Sequence, residues 1–179
     1  MRTGEVDLWA LDEVHFQQHG SRCRMWIPPE VKEPTLLHYP TRRSIGYFGA
    51  VRLRDGKLVF RREDESFNAA TFFEFLQSLK KVAGRGRRPA VVITDNAKYH
   101  HAVLHKEWRA SNAGTLRLDF LPPYSPELNP IERVWKLTRR LCLHNRYFET
   151  LQEVIESVER QFVRWNSPNE DLRRLCAIT

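Results

Sequence analysis

The residue pattern is that of an α/β protein folded around one core. Two apolar segments rich in branched side chains, residues 6–12 and 90–95, read as sheet strands, and each ends on an aspartate, Asp12 and Asp95. Residues 67–83, 131–144 and 150–165 instead repeat apolar side chains at helical spacing. The 179 residues are 41% hydrophobic, enough for one well-buried core and marginal for two. The basic linker at residues 84–89 is short and reads as a solvated turn, not a domain boundary.

Taken in order, residues 6–12 alternate and then turn apolar, as a strand covered on one or both faces does. Residues 14–27 continue extended, with His19-Gly20-Ser21 as a turn and residues 23–27 as a second strand. Residues 28–40 form a proline-rich loop that leads into the basic Thr41-Arg42-Arg43. Residues 44–53 read as the next strand, and Asp55-Gly56 between apolar runs is a strong hairpin signal, so residues 58–60 should pair back antiparallel. Phe72, Phe73, Leu76, Leu79 and Ala83 mark one face of a helix over 67–83, with Gly84 as a left-handed stop. The run at 90–95 has the pattern of an interior parallel strand. A short helix over 101–110 and a strand over 115–121 follow.

Pro122, Pro123, Pro126 and Pro130 then stiffen the chain and withhold N–H donors, so neither a helix nor a central strand can run through them. Asn129 reads as the N-cap of a helix with Pro130 at its first position, which delivers Glu132 in the first turn. That helix, running to about residue 144, has the stripe Ile131, Val134, Trp135, Thr138, Leu141 and Cys142, with Lys136 and Arg139 on the flank of Glu132. The last helix opens with a Thr150–Glu153 capping box and buries Leu151, Val154, Ile155, Val158, Phe162 and Trp165 before Ser167-Pro168 ends it.

Lys and Arg number 29 against 22 Asp and Glu, a net charge of +7 that favours a polyanionic partner such as nucleic acid. Cys23, Cys142 and Cys176 are scattered and unpaired in spacing, which fits a reducing compartment. No apolar run approaches the length of a membrane span and no signal-peptide core is present, so a soluble, intracellular protein is expected.

Strands ending on Asp12 and Asp95 bring those carboxylates together if they are parallel neighbours, about 4.8 Å apart. A right-handed crossover through the 67–83 helix permits it, and Glu132 then arrives over the carboxyl edge, where clefts in open α/β sheets lie. Three acids there repel unless divalent cations hold them, and hard Mg²⁺ or Mn²⁺ accept such oxygen ligands alongside phosphate. Paired carboxylates also serve glycoside hydrolysis, but the basic balance favours phosphoryl chemistry. Each acid also has a plainer reading, as a turn former at Asp12 and Asp95 and as a helix-dipole partner at Glu132.

Leu11-Asp12-Glu13, then Thr94-Asp95-Asn96-Ala97-Lys98-Tyr99-His100, then the run from Leu121 to Trp135 resemble the catalytic domain of mariner-superfamily transposases, in particular their bacterial insertion-sequence branch. The resemblance implies a ribonuclease-H-like fold, a five-stranded mixed sheet with helices on both faces, formed as one catalytic domain over residues 1–179. It implies that Asp12, Asp95 and Glu132 hold two Mg²⁺ or Mn²⁺ ions, cut DNA at transposon ends and join the freed 3′-hydroxyl to target DNA, usually at TA. It also implies self-association in a synaptic complex and work in the bacterial cytoplasm, on the nucleoid when bound to DNA. The helix-turn-helix module that precedes such domains is missing before residue 6, so an upstream-encoded half or a truncation is expected.

Glu13 adjoins Asp12 but should point to the opposite face, and Asn96 and His100 read first as turn and helix-start residues. His101, His105, Cys142 and His144 lack the paired spacing of a zinc site. Lys136 and Arg139 are the leading phosphate contacts, with Arg42, Arg43, Lys80, Lys81, Arg85, Arg87, Arg88 and Arg140 behind them. Trp135 reads as core, with base stacking as its alternative. Two rival functions stand beside the transposase: another ribonuclease-H-like nuclease, and a non-catalytic DNA-binding or assembly remnant of a decayed element.

Overall fold

A computed structural model describes residues 6–19, 21–24, 26–32, 35, 37, 40–83 and 88–178. The chain runs through β1 (Asp7–Gln17), β2 (Ser44–Arg52), β3 (Leu58–Glu63), α1 (Ala69–Ala83) and β4 (Ala90–Thr94). Two 3-10 turns, Lys98–His101 and Val103–His105, lead into α2 (Lys106–Asn112), then β5 (Leu116–Phe120). A third 3-10 turn, Pro126–Leu128, precedes α3 (Ile131–Thr138), which continues as a π-helical turn (Arg139–Leu143) before α4 (Leu151–Trp165) and α5 (Glu170–Leu175).

The five strands form one mixed sheet in the order β3-β2-β1-β4-β5. The first three are antiparallel in sequence, while β4 runs parallel to β1 and β5 parallel to β4. The α1 crossover sets β4 parallel to β1, and the hairpin between β2 and β3 forms at Asp55-Gly56, where Gly56 takes a φ of +70°.

Alternation along β1 decides what each face meets. Trp9 and Leu11 point into a cluster with Phe72, Phe75, Leu76 and Leu79 of α1. Ala10, Val14 and Phe16 point into a second cluster with Trp135 of α3 and Val158 and Phe162 of α4. Each such side chain is worth about 1.5–3 kcal/mol when fully buried, so covering both faces holds the sheet between two helical layers. The same alternation sends Asp12 towards α3 and Glu13 towards α1.

Several expectations need correction. Residues 23–27 do not form a strand where described; beyond β1, Ser21 makes a single bridge to His144, and Asn145 bonds to both backbone groups of Cys23. The 101–110 helix is displaced: 3-10 turns occupy its start, and the α-helix covers Lys106–Asn112. Asn129 is extended and its side chain does not cap α3: its N–H donates to the Leu11 carbonyl, which holds the amide in place, and its Oδ1 accepts from no helix N–H. The π-helical turn rotates the stripe, leaving Leu141 42% exposed and burying Leu143 beside Cys142. Half of the capping box holds: Thr150 accepts from the Glu153 N–H at 3.3 Å, but Glu153 Oε2 accepts from the Glu149 N–H at 3.1 Å and not from that of Thr150. Helix α5 was not expected, although Asn169 caps it by accepting from the Leu172 N–H at 3.0 Å. Gly84, Arg85 and Arg87 lie outside the described residues.

Candidate active site

Three chain segments converge at the carboxyl edge of the sheet. The ladder between β1 and β4 ends at Ala10↔Ile93, so Asp12 and Glu13 project beyond it while β1 remains paired with β2. Asp95 follows the last residue of β4, and the Leu121 N–H donates to the Thr94 carbonyl at 2.9 Å, so the proline-rich loop starts beside it. Asp12, Asp95 and Glu132 line one cleft of about 460 Å³, walled by that loop from Leu121 to Pro126.

The loop is tied down from below. Asn129, 3% exposed, donates its side-chain N–H to the Leu11 carbonyl at 2.9 Å, joining the start of α3 to the residue before Asp12. Pro130 then starts the helical turn, and Glu132 sits half-buried within it, where the helix dipole favours a carboxylate. Tyr124, fully exposed at the rim, has a φ of +57°, a strained conformation for a bulky residue.

Asp12 is the most perturbed of the acids. Burial, Glu13 and Glu132 together push its carboxyl up from 3.8 to about 7, against a lowering hydrogen bond from Trp135. The Trp135 indole N–H donates to Asp12 Oδ2 at 2.9 Å. No Lys or Arg lines the cleft, and among the described residues no ion pair neutralises Asp12 or Glu132. Asp12 and Glu132, oxygen donors with no Lys or Arg beside them, fit a hard divalent cation.

Asp95 is held differently. Its carboxylate meets His100 Nδ1 at 2.9 Å, and His100 Nε2 meets Glu13 Oε1 at 3.0 Å. Burial lowers the pKa of His100, but the hydrogen bonds to Asp95 and Glu13 outweigh it and raise the pKa from 6.5 to about 9. The His100 hydrogen bond in turn holds the Asp95 carboxyl below its ordinary value, helped by the Ala97 N–H. Burial and Glu13, which accepts from the Tyr99 phenol, push that phenol up. Among the described residues, Glu13, Asp95 and His100 are the acid–histidine group whose ligand atoms lie within 4.8 Å of one another. With a carboxylate at each of its ring nitrogens, His100 ties Asp95 to Glu13. The triad shares the cleft without forming so tight a group.

Of the other expected residues, Glu13 faces away from Asp12 as anticipated, and His100 is a buried link instead of a simple helix start. Lys136 is exposed, as are Arg42 and Arg43. Arg139 lies over the Phe16 ring at 5.5 Å and lines a neighbouring cavity with His15, Arg22 and Leu143, not the carboxylate cleft. His105 bonds the Tyr99 carbonyl at 2.9 Å, His101 stacks on Phe120, and His144 pairs with Ser21, so these side chains do not converge. Sequence reasoning missed the polar roles of Trp135 and Asn129. A signal was present for Trp135, which lies one helical turn beyond Glu132.

The fold is ribonuclease-H-like. It matches the Mos1 strand transfer complex with a TM-score of 0.70 at 17% identity, covering 98% of this chain and 52% of that one. A Mos1 mariner paired-end complex with Mn matches with a TM-score of 0.70 at 18% identity over 95% of this chain and 51% of that one. The catalytic domain of Mos1 mariner transposase matches at 0.65 and 14% identity, covering 98% of this chain and 78% of that domain. An uncharacterized protein of Sinorhizobium fredii, y4pE/y4sA, is 42% identical over 66 residues, 37% of this chain and 45% of that protein. The chain thus spans about half the length of the first of these proteins. The family described as DDE superfamily endonuclease matches residues 7–155. The chain belongs to that family.

Proposed function

We propose that this chain is the catalytic part of a mariner-like DNA transposase of the bacterial insertion-sequence branch, with Asp12, Asp95 and Glu132 as its metal ligands. The observation that carries the reading is the meeting of three carboxylates, from β1, the end of β4 and α3, in one cleft lined by no Lys or Arg. Bound there, two Mg²⁺ or Mn²⁺ ions would supply an activated oxygen nucleophile and stabilise the departing oxygen in an in-line phosphoryl transfer. The Mos1 relatives, studied as a strand transfer complex and with Mn or Mg, lend support by analogy.

The chain's own residues do the rest. His100, backed by Glu13, holds Asp95 at the cleft, and Asn129 anchors the loop that presents Glu132. Tyr124 offers a flat aromatic face at the rim, suited to stacking on a base. Exposed Lys136, Arg42 and Arg43, with Arg139 in the adjacent cavity, contact the DNA backbone. Residues 1–179 form a single catalytic domain that assembles with further copies in a synaptic complex. End recognition calls for a helix-turn-helix module as a partner of this domain, and target joining favours TA. The protein works in the bacterial cytoplasm, on the nucleoid when bound to DNA; among the described residues no helix is long and apolar enough to cross a membrane.

The test is a strand assay on duplexes carrying the ends of the element, with Mn²⁺ or Mg²⁺. Cleavage followed by joining of a 3′ end, lost in Asp12→Asn, Asp95→Asn and Glu132→Gln, is expected. Cutting of RNA–DNA hybrids without any joining would instead identify another nuclease of this fold. DNA binding with no cutting under any metal would identify a remnant.

A further inference from the structure

Trp135 is placed as a core residue by its helix stripe and its 1% exposure, yet its one polar atom is aimed out of the core. The indole N–H reaches Asp12 Oδ2 at 2.9 Å, across from α3 to β1. We propose that Trp135 is a positioning residue for Asp12, its N–H fixing the carboxylate so that the other oxygen faces the cleft. The inference rests on the reading of Asp12 as a metal ligand.

The space around the ring supports this. Gly49 lies directly opposite Asp12 in the β1–β2 ladder. A Cβ at Gly49 would come within 2.3 Å of Trp135 Cη2 and 2.9 Å of Cζ2, so the indole occupies the room that a missing side chain leaves. Phe16 meets the ring edge-on at 6.5 Å between centroids, and Phe162 lies at 6.0 Å. With the sheet below and two aromatic rings beside it, the indole cannot turn its N–H away from Asp12 without repacking the core.

The consequence is an arrangement in which α3 acts twice. Its first turn presents Glu132, and its next turn orients the acid of a different element, so the spacing of these two ligands is set within one rigid segment. The Glu13 N–H also donates to this carboxylate, and the oxygen lone pairs that the two donors leave over serve a cation. A purely apolar role would be met equally by a ring without an N–H. Hydrogen-bond partners of metal ligands contribute on the order of 10- to 100-fold to metal affinity or activity.

The experiment titrates Mn²⁺ into the protein by calorimetry and measures DNA cleavage against Mn²⁺ concentration. Trp135→Phe keeps an aromatic ring in the slot and removes the donor. It should weaken Mn²⁺ binding about 10- to 100-fold and shift half-maximal cleavage to higher Mn²⁺, with activity partly restored at saturation. Gly49→Ala, which forces the ring to shift, should show the same metal defect with Trp135 intact. If Trp135→Phe does not fold, benzothienylalanine at position 135 decides, since it preserves the shape and replaces the N–H with sulfur. Wild-type Mn²⁺ affinity and metal dependence in the folded variant would overturn the inference alone. A parent protein that binds no Mn²⁺ would overturn the metal-site reading and the inference with it.

Discussion

Asp12 is a side chain whose place in the site works against the stability of the fold. Its pKa is raised from 3.8 to about 7, chiefly by burial and then by Glu13, so folding favours its neutral form. That contribution is fully present below pH 3.8 and is lost as pH rises through about 7, beyond which the charged carboxylate is a constant penalty. In metal-free buffer at pH 8, Asp12→Asn should therefore be more stable than the parent by on the order of 2–4 kcal/mol. Urea unfolding across pH 4–8 checks this; a difference that did not fade towards pH 4 would exclude the linkage. His100 has the opposite effect. Its folded pKa of about 9 exceeds the ordinary 6.5, so its stabilisation is whole below 6.5 and lost as pH rises through 9. His100→Asn should cost roughly 2–3 kcal/mol more at pH 6 than at pH 10 in the same unfolding measurement, since only the packing lost against Phe72 and Tyr99 persists at high pH.

Two connections matter at the level of elements. The β2–β3 hairpin is locked beneath α5: the Asn169 N–H donates to the Asp55 carbonyl at 2.7 Å, and a Cβ at Gly56 would meet the Asn169 carbonyl at 2.1 Å. Gly56→Ala combines an unfavourable φ of +70° with that collision. It should destabilise the fold by at least about 2 kcal/mol, read as a lowered urea midpoint. The second connection is the loop before α3. Pro130 stiffens the entry to the helix and is itself buried, so Pro130→Ala should cost about 1–2 kcal/mol of stability. Metal-dependent cleavage should fall further than stability does. Equal losses in the two measurements would reduce the loop to scaffolding.

For the whole molecule, the net charge of +7 and the exposed Lys136, Arg42 and Arg43 predict DNA affinity that falls steeply with salt. Removing Lys136 should lower the slope of log affinity against log salt by about 1, with little sequence dependence. Arg139→Ala should do the same and also lose packing against Phe16, so its Tm should fall where that of Lys136→Ala holds. Fluorescence anisotropy at several salt concentrations separates the two, and an unchanged slope for Lys136→Ala would remove it from the interface.

The strand that carries Asp12, the strand that leads to Asp95, the Asp55-Gly56 hairpin, the α1 crossover and the helix presenting Glu132 were legible in residue order. They depend on local periodicity and turn chemistry, which act over a few residues. The end of the first strand was not legible: β1 runs past Asp12 to Gln17 because β2 stays paired with it. The hydrogen bonds that set the site were not legible in the same way. Trp135 to Asp12, Asn129 to Leu11 and His100 to Glu13 join residues 123, 118 and 87 positions apart, and no local pattern encodes which side chains meet. The π-helical turn escaped for a related reason: an ideal helical period puts Leu141 inside, while the observed turn leaves it exposed and buries Leu143. Residue order thus supplied the acids and the elements that deliver them. Packing supplied their orientation and charge state, because burial and distant partners exist only once the chain has closed on itself.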